Sequence, residues 1–369
     1  MERRPGGLTD TEKFDWIRLA RTPRVGPVTF FQLIAKFGSA SDALSALPSL
    51  SSRSLKLHPI SERDLNTELE KLSAYGARIV CSCEHEFPPL LTQFSPPPPI
   101  LSVLGQSELV HKRCVAIVGA RQASAAGRKL AKDIAADLSQ AGFSIVSGLA
   151  RGIDGEAHAA SLETGTIAVL GGGIDHIYPP QHDRLYAEIA HKGLLVSERP
   201  FGHRATARDF PRRNRIITGI AEGVVIIEAA ERSGSLISAR TASEQNREVM
   251  TVPGSPLDPR SAGSNRLLRD GATLIRHADD VLEALSRSST ALLRAPPDAP
   301  YTAAIHTPEQ IPASQIDAVR TALDLTPMPI AALAEAAGVS AARCAIILVE
   351  LELAGIAKTY AGGLAALAI

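Results

Sequence analysis

The chain has 369 residues, and its 39 lysines and arginines equal its 39 aspartates and glutamates, so the formal net charge is zero. This length exceeds what one hydrophobic core commonly holds and predicts two or three domains. The even balance excludes a strongly basic or acidic character for the whole protein, so an electrostatic footprint for nucleic acid has to be local.

Cysteine content and apolar run length exclude several classes of protein. Cys81, Cys83, Cys114 and Cys344 form no C-x-x-C pair and have no paired histidine spacing, which argues against a zinc site or a disulfide framework. No apolar run reaches the roughly 18 residues that a membrane-spanning helix needs. The N-terminal stretch MERRPGGLTD has no signal-peptide apolar region. We therefore expect a soluble, cytoplasmic protein with no membrane contact, no metal and no cofactor.

Residues 1–75 are predicted to form a helical domain. Two amphipathic stretches flank Gly26-Pro27, and the second stretch ends at Gly38. A helix, a glycine turn and a second helix are typical of a helix-hairpin-helix-like (or SAM-like) domain, whose free N–H groups bind a DNA phosphate. A small helical bundle that only packs explains the pattern equally well, so both interpretations stay open.

Residues 76–285 are predicted to form an α/β domain, which starts with a proline-rich extension over 76–111. The extension holds one predicted strand, Ala77–Ser82. After it, short apolar runs alternate with helix-length segments, a pattern typical of buried parallel strands in βα units. The predicted fold class is therefore α/β, with a Rossmann-like, doubly wound, mostly parallel sheet. The predicted strands are Val115–Val118, Ile145–Val146, Ile167–Leu170, Leu194–Val196, Val224–Ile227 and Val249–Val252, and the predicted helices are Ala125–Ala141, Gly155–Glu163, Gln181–His191, Arg212–Ala221, Ser235–Asn246 and Asn265–Arg269.

Four glycine-rich turns follow strands of this core, and each opens a helical pattern. Ligands of such sheets bind beyond the carboxyl ends of the strands, where glycine lets the backbone approach closely and free N–H groups attract anions. The sequence thus predicts one crevice for a phosphate-bearing ligand. The dinucleotide fingerprint G-x-G-x-x-G is absent from the first turn, and no Walker lysine follows any turn. The turns are Val118–Ser124 (VGARQAS), Ser147–Asp154 (SGLARGID), Gly171–Asp175 (GGGID) and Ser233–Ala239 (SGSLISA).

Polar side chains near these turns favour binding over catalysis. Asp154 and His158 stand four residues apart on one helix face, a spacing that suits acid–base work. An aspartate that caps the helix, with a packed histidine behind it, is the commoner explanation of that spacing. Arg121 in the first turn and Arg151 in the second are expected to point into the same crevice.

A basic stretch from Arg199 to Arg215 carries six arginines and only one acid, Asp209. Phe210 stands among these arginines, and an aromatic face beside cations suits single-stranded nucleic acid, since bases stack on the ring while phosphates meet the charges. Two other interpretations stay open. The stretch is also typical of a solvated charged loop, and Phe210 also suits an apolar staple for the helix predicted from Pro211.

Residues 286–313 are predicted to be a linker, because they are rich in serine, alanine and proline. Residues 314–369 follow with three helical stretches and a terminal hairpin, which is typical of a winged-helix domain. Only Arg343 and Lys358 are basic after Arg320. Charge therefore favours a protein-contact role for this domain over the reading of duplex DNA.

The core also carries a series of long motifs between about Ile79 and Leu285. They are IVGARQAS, IVSGLARGIDGEAHAASL, AVLGGGIDHIYPPQH, LVSERPFG, FPRRNRIITGIAEGVVIIEAAERSGSLISARTASEQNREVMTVPGS and GSNRLLRDGATLI. In this order they closely resemble the DNA-processing protein A family, also called Smf. The flanking helical and winged-helix domains match the usual architecture of that family more weakly.

The resemblance implies a cytoplasmic protein that binds single-stranded DNA in bacterial natural transformation and recombination. Such proteins protect incoming strands, act as dimers, load the RecA recombinase and have no established catalytic reaction. By motif correspondence, the DNA pocket maps to the first turn, the SGLARG turn and the FPRRNR segment. We therefore predict no catalytic residue and no metal ligand, and a DNA-binding set of Gly119, Arg121, Ser147, Gly148, Arg151, Phe210, Arg212, Asn214, Arg215, Gly234 and Ser235.

A second hypothesis is a nucleotide-binding protein or a nucleoside-monophosphate phosphoribohydrolase-like enzyme. The SGSLISA turn with the following Glu244 resembles the glycine-rich turn and acid of that enzyme family, P-G-G-x-G-T-x-x-E. Ser233-Gly234-Ser235-Leu236 departs from this pattern, because it lacks the second and third glycines. Incubation with AMP separates the two hypotheses, since an enzyme of this kind would release the base.

Overall fold

The computed structural model describes residues 7–50, 58–93, 96–294, 312–353, 355–360 and 363–368. The chain divides into two compact units, one of which consists of Met1–Gly7 and Asn66–Pro300. The other consists of Leu8–Leu65 and Tyr301–Ile369. The first unit contains the central sheet, and the second contains most of the N-terminal helices and the C-terminal domain.

The N-terminal region is helical, as predicted. A capping box starts it, in which the Thr9 hydroxyl accepts the Glu12 N–H at 3.3 Å and the Glu12 carboxylate accepts the Thr9 N–H at 2.9 Å. In the core, the Trp16 and Phe30 rings meet edge to face with centroids 4.8 Å apart. The helices are α1 Asp10–Arg21, α2 Pro27–Phe37, α3 Ala40–Leu50 and α4 Glu62–Ala74.

The α/β domain is built on a nine-stranded sheet in the described part of the chain, which confirms the predicted fold class. Its strands are β1 Arg78–Cys81, β2 Ile100–Gly105, β3 Cys114–Gly119, β4 Ser144–Ser147, β5 Thr166–Val169, β6 Leu194–Ser197, β7 Gly223–Ile227, β8 Glu248–Thr251 and β9 Thr273–Leu274. They lie in the order β1-β2-β6-β5-β4-β3-β7-β8-β9, and neighbours from β6 to β9 are parallel. Strands β4, β5 and β6 follow one another on one side of β3, and β7, β8 and β9 follow one another on its other side. The strand order therefore reverses between β3 and β7.

Strand β2 was not predicted. It pairs antiparallel with β1 on one side and with β6 on the other, and so extends the parallel sheet by two strands. Its apolar run ILSVLG directly follows Pro96–Pro99. Prolines have no backbone N–H group to donate to a sheet, so the whole proline-rich passage was interpreted as a connector. Because the prolines end before Ile100, every strand residue keeps its ladder donor.

Helices cover both faces of the sheet. One face packs against residues such as Ile216 and Ala239, and the opposite face packs against residues such as Ile134 and Val281. Two buried layers on one sheet explain why the strand sequences are apolar throughout. The helices are α5 Ala125–Gln140, α6 Ile153–Ser161, α7 Asp183–Lys192, α8 Asp209–Ile220, α9 Gly234–Glu244, α10 Ala262–Arg269 and α11 Ala278–Arg294.

The limits of the predicted helices differ from the observed ones by up to three residues, and helix α11 occupies the start of the predicted linker. Helix α8 begins at Asp209, not Arg212, because the Asp209 carboxylate closes the entering turn by accepting the Thr206 N–H at 2.9 Å and its hydroxyl at 2.8 Å. Helix α11 continues to Arg294, past the predicted start of the linker at 286, since serine and alanine are compatible with a helix. We propose that the linker starts after Arg294, and limited proteolysis that cuts before this point would contradict it. Residues 295–311 lie outside the described ranges.

The C-terminal domain is a winged helix, as predicted. The elements in the described residues are α12 Ala313–Ala322, β10 Met328–Pro329, α13 Ile330–Ala336, α14 Ala341–Leu353, β11 Ala357–Tyr360 and β12 Leu364–Leu367. The three strands form an antiparallel sheet in which β12 lies between β10 and β11. Lys36 of α2 forms an ion pair with Glu350 of α14, so the last helix of the winged helix contacts an N-terminal helix of the same chain.

No single helix in the described ranges is long and apolar enough to cross a membrane. The bent pair Ile330–Ala336 and Ala341–Glu352, which meets at 98°, passes on length and composition only when both helices are taken together. Leu333 and Ile347 of this pair are fully buried.

Candidate nucleic-acid interface

A cavity of about 930 Å³ opens at the carboxyl ends of β3 and β7, where the strand order reverses. Its volume lies within the range of roughly 300–1,000 Å³ that is common for ligand pockets. Such a reversal point is where open α/β sheets bind their ligands. The walls come from residues 119–122 of the first glycine turn and from the starts of α8 and α9. The structure therefore contains a crevice at the strand ends.

Gly152 packs the second glycine turn against the first. Its φ is +77°, and a Cβ at this position would meet the Ala120 carbonyl oxygen at 2.3 Å and the Arg121 carbonyl oxygen at 2.8 Å. Only glycine adopts this left-handed conformation freely and leaves room for so close an approach. Arg121 and Arg151 consequently line a common space.

Phe210 contacts both a cation and a second aromatic ring. The guanidinium carbon of Arg121 is 5.3 Å from the centroid of the Phe210 ring, which is a cation–π distance. The Tyr178 ring is tilted by 42° to that of Phe210, with centroids also 5.3 Å apart. Tyr178 is 45% exposed. Together these side chains offer aromatic faces and a positive charge to the cavity, a combination that stacks bases and neutralises phosphates.

A buried arginine, Arg213, supports the floor of the cavity. Its Nη1 donates to the Gly148 carbonyl at 2.8 Å and to the Val169 carbonyl. A Cβ on Gly148 would meet the guanidinium at 2.5 Å, so glycine at this position makes room for it. Burial lowers the pKa of Arg213 to about 10, Asp154 opposes this shift and Arg121 adds to it. The side chain therefore carries its charge at neutral pH.

Asp154 and His158 organise the second turn. The predicted helix cap at Asp154 is wrong, because the N-cap of α6 is Gly152 and Asp154 lies in the first turn of the helix. Its carboxylate instead accepts N–H groups of the preceding loop, from Gly148 at 3.1 Å and Ala150 at 3.4 Å. His158 is fully buried, and burial lowers its pKa to about 3. It is a neutral, packed histidine, as the commoner explanation of the spacing expected.

The start of α9 forms the opposite wall. The Ser233 hydroxyl caps this helix by accepting the Ser235 N–H at 3.3 Å, and Gly234 and Ser235 line the cavity. Glu244 ends the same helix, about 15 Å away at 1.5 Å per residue. There it forms an ion pair with an arginine one turn earlier. The turn and the acid that the phosphoribohydrolase hypothesis requires therefore do not meet at the cavity.

Three of the predicted DNA-binding residues line neither this cavity nor the two smaller cavities beside it, of about 430 and 20 Å³. Ser147 is fully buried, and its hydroxyl donates to the Ile117 carbonyl at 2.6 Å. Arg212 is exposed outside the cavity, and Arg215 forms an ion pair with Glu198. The other predicted residues do line this cavity or the smaller ones beside it, namely Gly119, Arg121, Gly148, Arg151, Phe210, Asn214, Gly234 and Ser235.

The basic stretch from 199 to 215 divides into structural and exposed arginines. Arg199 pairs with Asp209, Arg215 pairs with Glu198, and Arg213 is buried. Burial alone would raise the pKa of Asp209. Hydrogen bonds from His203 and Thr206, together with the Arg199 charge, lower it by more than burial raises it, so the pKa lies below its ordinary value. Half of the arginines thus stabilise the fold, and the exposed ones are Arg204, Arg208 and Arg212.

Sequence reasoning missed two residues at the centre of the site. Arg213 precedes Ile216, Ile217 and Ile220 at helical spacings of three, four and seven, and all three isoleucines are buried. That periodicity marks Arg213 as inward-facing. Tyr178 carries no comparable signal, because only the fold brings its loop beside Phe210. Further cavity-lining cations are Arg232 and Arg260.

Family models match all three parts of the chain. The model described as DNA recombination-mediator protein A matches residues 78–286. The model of a DprA-like N-terminal HHH domain matches residues 10–70, and that of a DprA winged helix domain matches residues 303–363. The matched order agrees with the helical, α/β and winged-helix regions of the structure.

Individual proteins match over most of the chain. Protein Smf of Escherichia coli (strain K12) is 39% identical over 284 residues, which cover 75% of this chain and 74% of that protein. The X-ray structure of DNA processing protein A from Streptococcus pneumoniae matches with a TM-score of 0.63 at 29% identity, over 77% of this chain and 98% of that one. A structure of the Helicobacter pylori protein, described by its single-stranded DNA binding mode, matches with a TM-score of 0.53 at 29% identity, over 57% and 96%.

Proposed function

Because the chain belongs to the DNA recombination-mediator protein A family, we propose that it binds single-stranded DNA in the cavity between the ends of β3 and β7. The observation that carries this proposal is the layer formed by Arg121, Phe210 and Tyr178 at the cavity wall. Stacking on such aromatic faces contributes about 1–3 kcal/mol per base and tolerates any sequence. The single-strand binding mode in the description of the Helicobacter pylori structure supports the same ligand.

The charges around the layer fit a phosphate backbone. Arg121 and Arg232 line the cavity, as does Arg260, whose guanidinium is paired with Asp258. The start of α9 faces the cavity with backbone N–H groups. Arg213 adds a buried positive charge beneath them. A concave site of this kind accepts splayed bases, whereas a duplex keeps its bases stacked inside and offers only its outer surface.

The proposal is tested by a comparison of single-stranded and duplex DNA. The protein should bind a single strand much more tightly than a blunt duplex of the same length, with little sequence preference. Binding should weaken as salt rises, because phosphate contacts release counterions. Fluorescence anisotropy at matched salt measures these affinities. Equal affinity for the two forms would contradict the proposal, and base release from AMP in a parallel incubation would favour the phosphoribohydrolase-like enzyme instead.

We extend the proposal to a recombination mediator of natural transformation, which acts as a homodimer, protects the incoming strand and loads RecA. Family membership and the resemblance of the whole domain order support this role. The measurement is RecA filament growth on a single strand already covered by a competing single-strand-binding protein, with and without this protein. Filament growth that stays equally slow at every protein ratio would contradict RecA loading and leave strand binding intact. Analytical ultracentrifugation checks the dimer.

A further inference from the structure

A second cavity, of about 430 Å³, adjoins the main one on the side of α5 and α6. Arg121 lines both cavities. Between them lies a small space of about 20 Å³, which is lined by Phe210 and Tyr178 from the main cavity and by Arg151 from the second. The two cavities are therefore neighbours along one continuous surface, with Arg121 at their boundary.

The second cavity is basic. Three arginines line it, Arg121, Arg128 and Arg151, against a single acid, Glu156. All three arginines are exposed, and none of them forms an ion pair with another described residue. The three structural arginines of the 199–215 stretch are paired or buried, whereas the guanidinium groups of the second cavity are neither.

The wall of the second cavity is held in place by the fold. His182 lines it, and its Nδ1 lies 3.0 Å from the Leu149 carbonyl oxygen, to which the N–H donates. Arg128 lies in the first turn of α5, whose N-cap Ser124 is itself bonded to Glu228 at the end of β7. Arg128 is thus carried by a helix, and Arg121 and Arg151 lie in two turns that pack closely against each other at Gly152.

We propose that the single strand continues from the main cavity past Arg121 into the second cavity, where Arg128 and Arg151 bind its phosphates. This inference rests on the proposed function and names the path of the strand. The main cavity supplies the Phe210 and Tyr178 rings for bases, while the second offers cations and no Phe, Tyr or Trp among its lining residues. Guanidinium groups suit phosphate oxygens, because their planar N–H donors bind two oxygens at once.

The test compares two lengths of oligothymidylate, roughly 4 and roughly 16 nucleotides, the limits of site size seen for single-strand modules. The short strand fills the main cavity, and the long strand also reaches the second. Arg128→Ala should weaken binding of the long strand about three- to tenfold, as expected for the loss of one hydrogen bond at a solvent-exposed position. It should also reduce the salt slope for the long strand by about 0.7, the value for one single-strand phosphate.

Two further variants of the full chain make the test specific. Lys129→Ala is the matched control, because Lys129 neighbours Arg128 on α5, pairs with Asp133 and does not line the cavity; it should change neither affinity by more than about twofold. Glu156→Gln removes the carboxylate that repels phosphate, so it should strengthen binding of the long strand and leave the short one unchanged. An unfolded or distorted protein cannot produce this gain.

The outcomes separate the strand path from strand binding itself. An equal loss on both strand lengths in Arg128→Ala, or no loss on either, would overturn the path and leave the main cavity as the binding site. Weaker binding of the long strand by Glu156→Gln would also overturn the path. Failure of the unaltered protein to bind either strand would overturn the proposed function, and the path with it.

Discussion

Arg213→Met is expected to lower the free energy of unfolding by about 3 kcal/mol, because two buried acceptors lose their donor. Arg213 is 7% exposed, and its Nη1 donates to the carbonyl groups of Gly148 and Val169. A buried acceptor without a donor costs about 1–3 kcal/mol. Methionine retains most of the apolar stem, so little packing is lost. Urea-induced unfolding measures the change.

Arg212→Met is the matched control for this substitution. Arg212 is the preceding residue on α8, but its side chain is exposed and does not line the cavity. Its replacement should change the free energy of unfolding by no more than about 0.5 kcal/mol. A similar loss in both variants would show that the buried hydrogen bonds of Arg213 do not stabilise the fold.

The destabilisation of Arg213→Met should also depend on pH. Burial raises the pKa of Asp154 in the folded protein, and the Arg213 charge opposes this increase. Without that charge the folded-state pKa rises further. In both proteins the stability that protonated Asp154 contributes is fully present below its unfolded-state pKa of about 3.9 and is lost as pH rises through the folded-state pKa. Because the folded-state pKa is higher in the variant, the gap in stability between variant and unaltered protein should widen as pH rises from the folded-state pKa of the unaltered protein to that of the variant. A constant gap would assign the whole loss to the hydrogen bonds.

Arg121→Ala and Phe210→Ala are expected to weaken single-strand binding by comparable amounts for different reasons. Arg121→Ala removes a phosphate contact, so affinity should fall about tenfold at low salt and the salt slope should decrease by about 0.7. Phe210→Ala removes a stacking face worth about 1–3 kcal/mol and should leave the slope nearly unchanged, because stacking releases no counterion. A salt titration of both variants measures affinity and slope together.

Melting curves of the same two variants provide the control. If Phe210 is only an apolar staple for α8, its variant should lose thermal stability, and affinity should fall only as the protein unfolds. Unchanged affinity in a stably folded Arg121→Ala protein would remove this cavity from the DNA path. Because the Arg121 guanidinium lies over the Phe210 ring, the double variant should lose less than the sum of the single losses.

The sequence by itself determined the domain order and the class of each domain. Short apolar runs bounded by glycine predicted parallel strands, because a strand covered by helices on both faces needs apolar residues throughout. Glycine at the strand ends predicted the crevice and placed Arg121 and Arg151 at it. These features depend on local sequence, and the long motifs that resemble a known family lie in the same segments.

Only the tertiary structure decided which polar side chains of those segments face the crevice. Ser147 lies at a strand end, as predicted, but its hydroxyl bonds the neighbouring strand and is buried. The packing of α8 turns Arg212 outward and pairs Arg215 with Glu198, so neither residue of the FPRRNR segment lines the cavity, and DNA binding by them stays a prediction. The apolar periodicity of α8 is sufficient to predict that Arg213 faces inward. The carbonyl groups to which Arg213 donates, those of Gly148 and Val169, come from segments that are distant in sequence. Tyr178 meets Phe210 for the same physical reason: strand order and helix packing set which distant segments become neighbours, and neither is written in the local pattern.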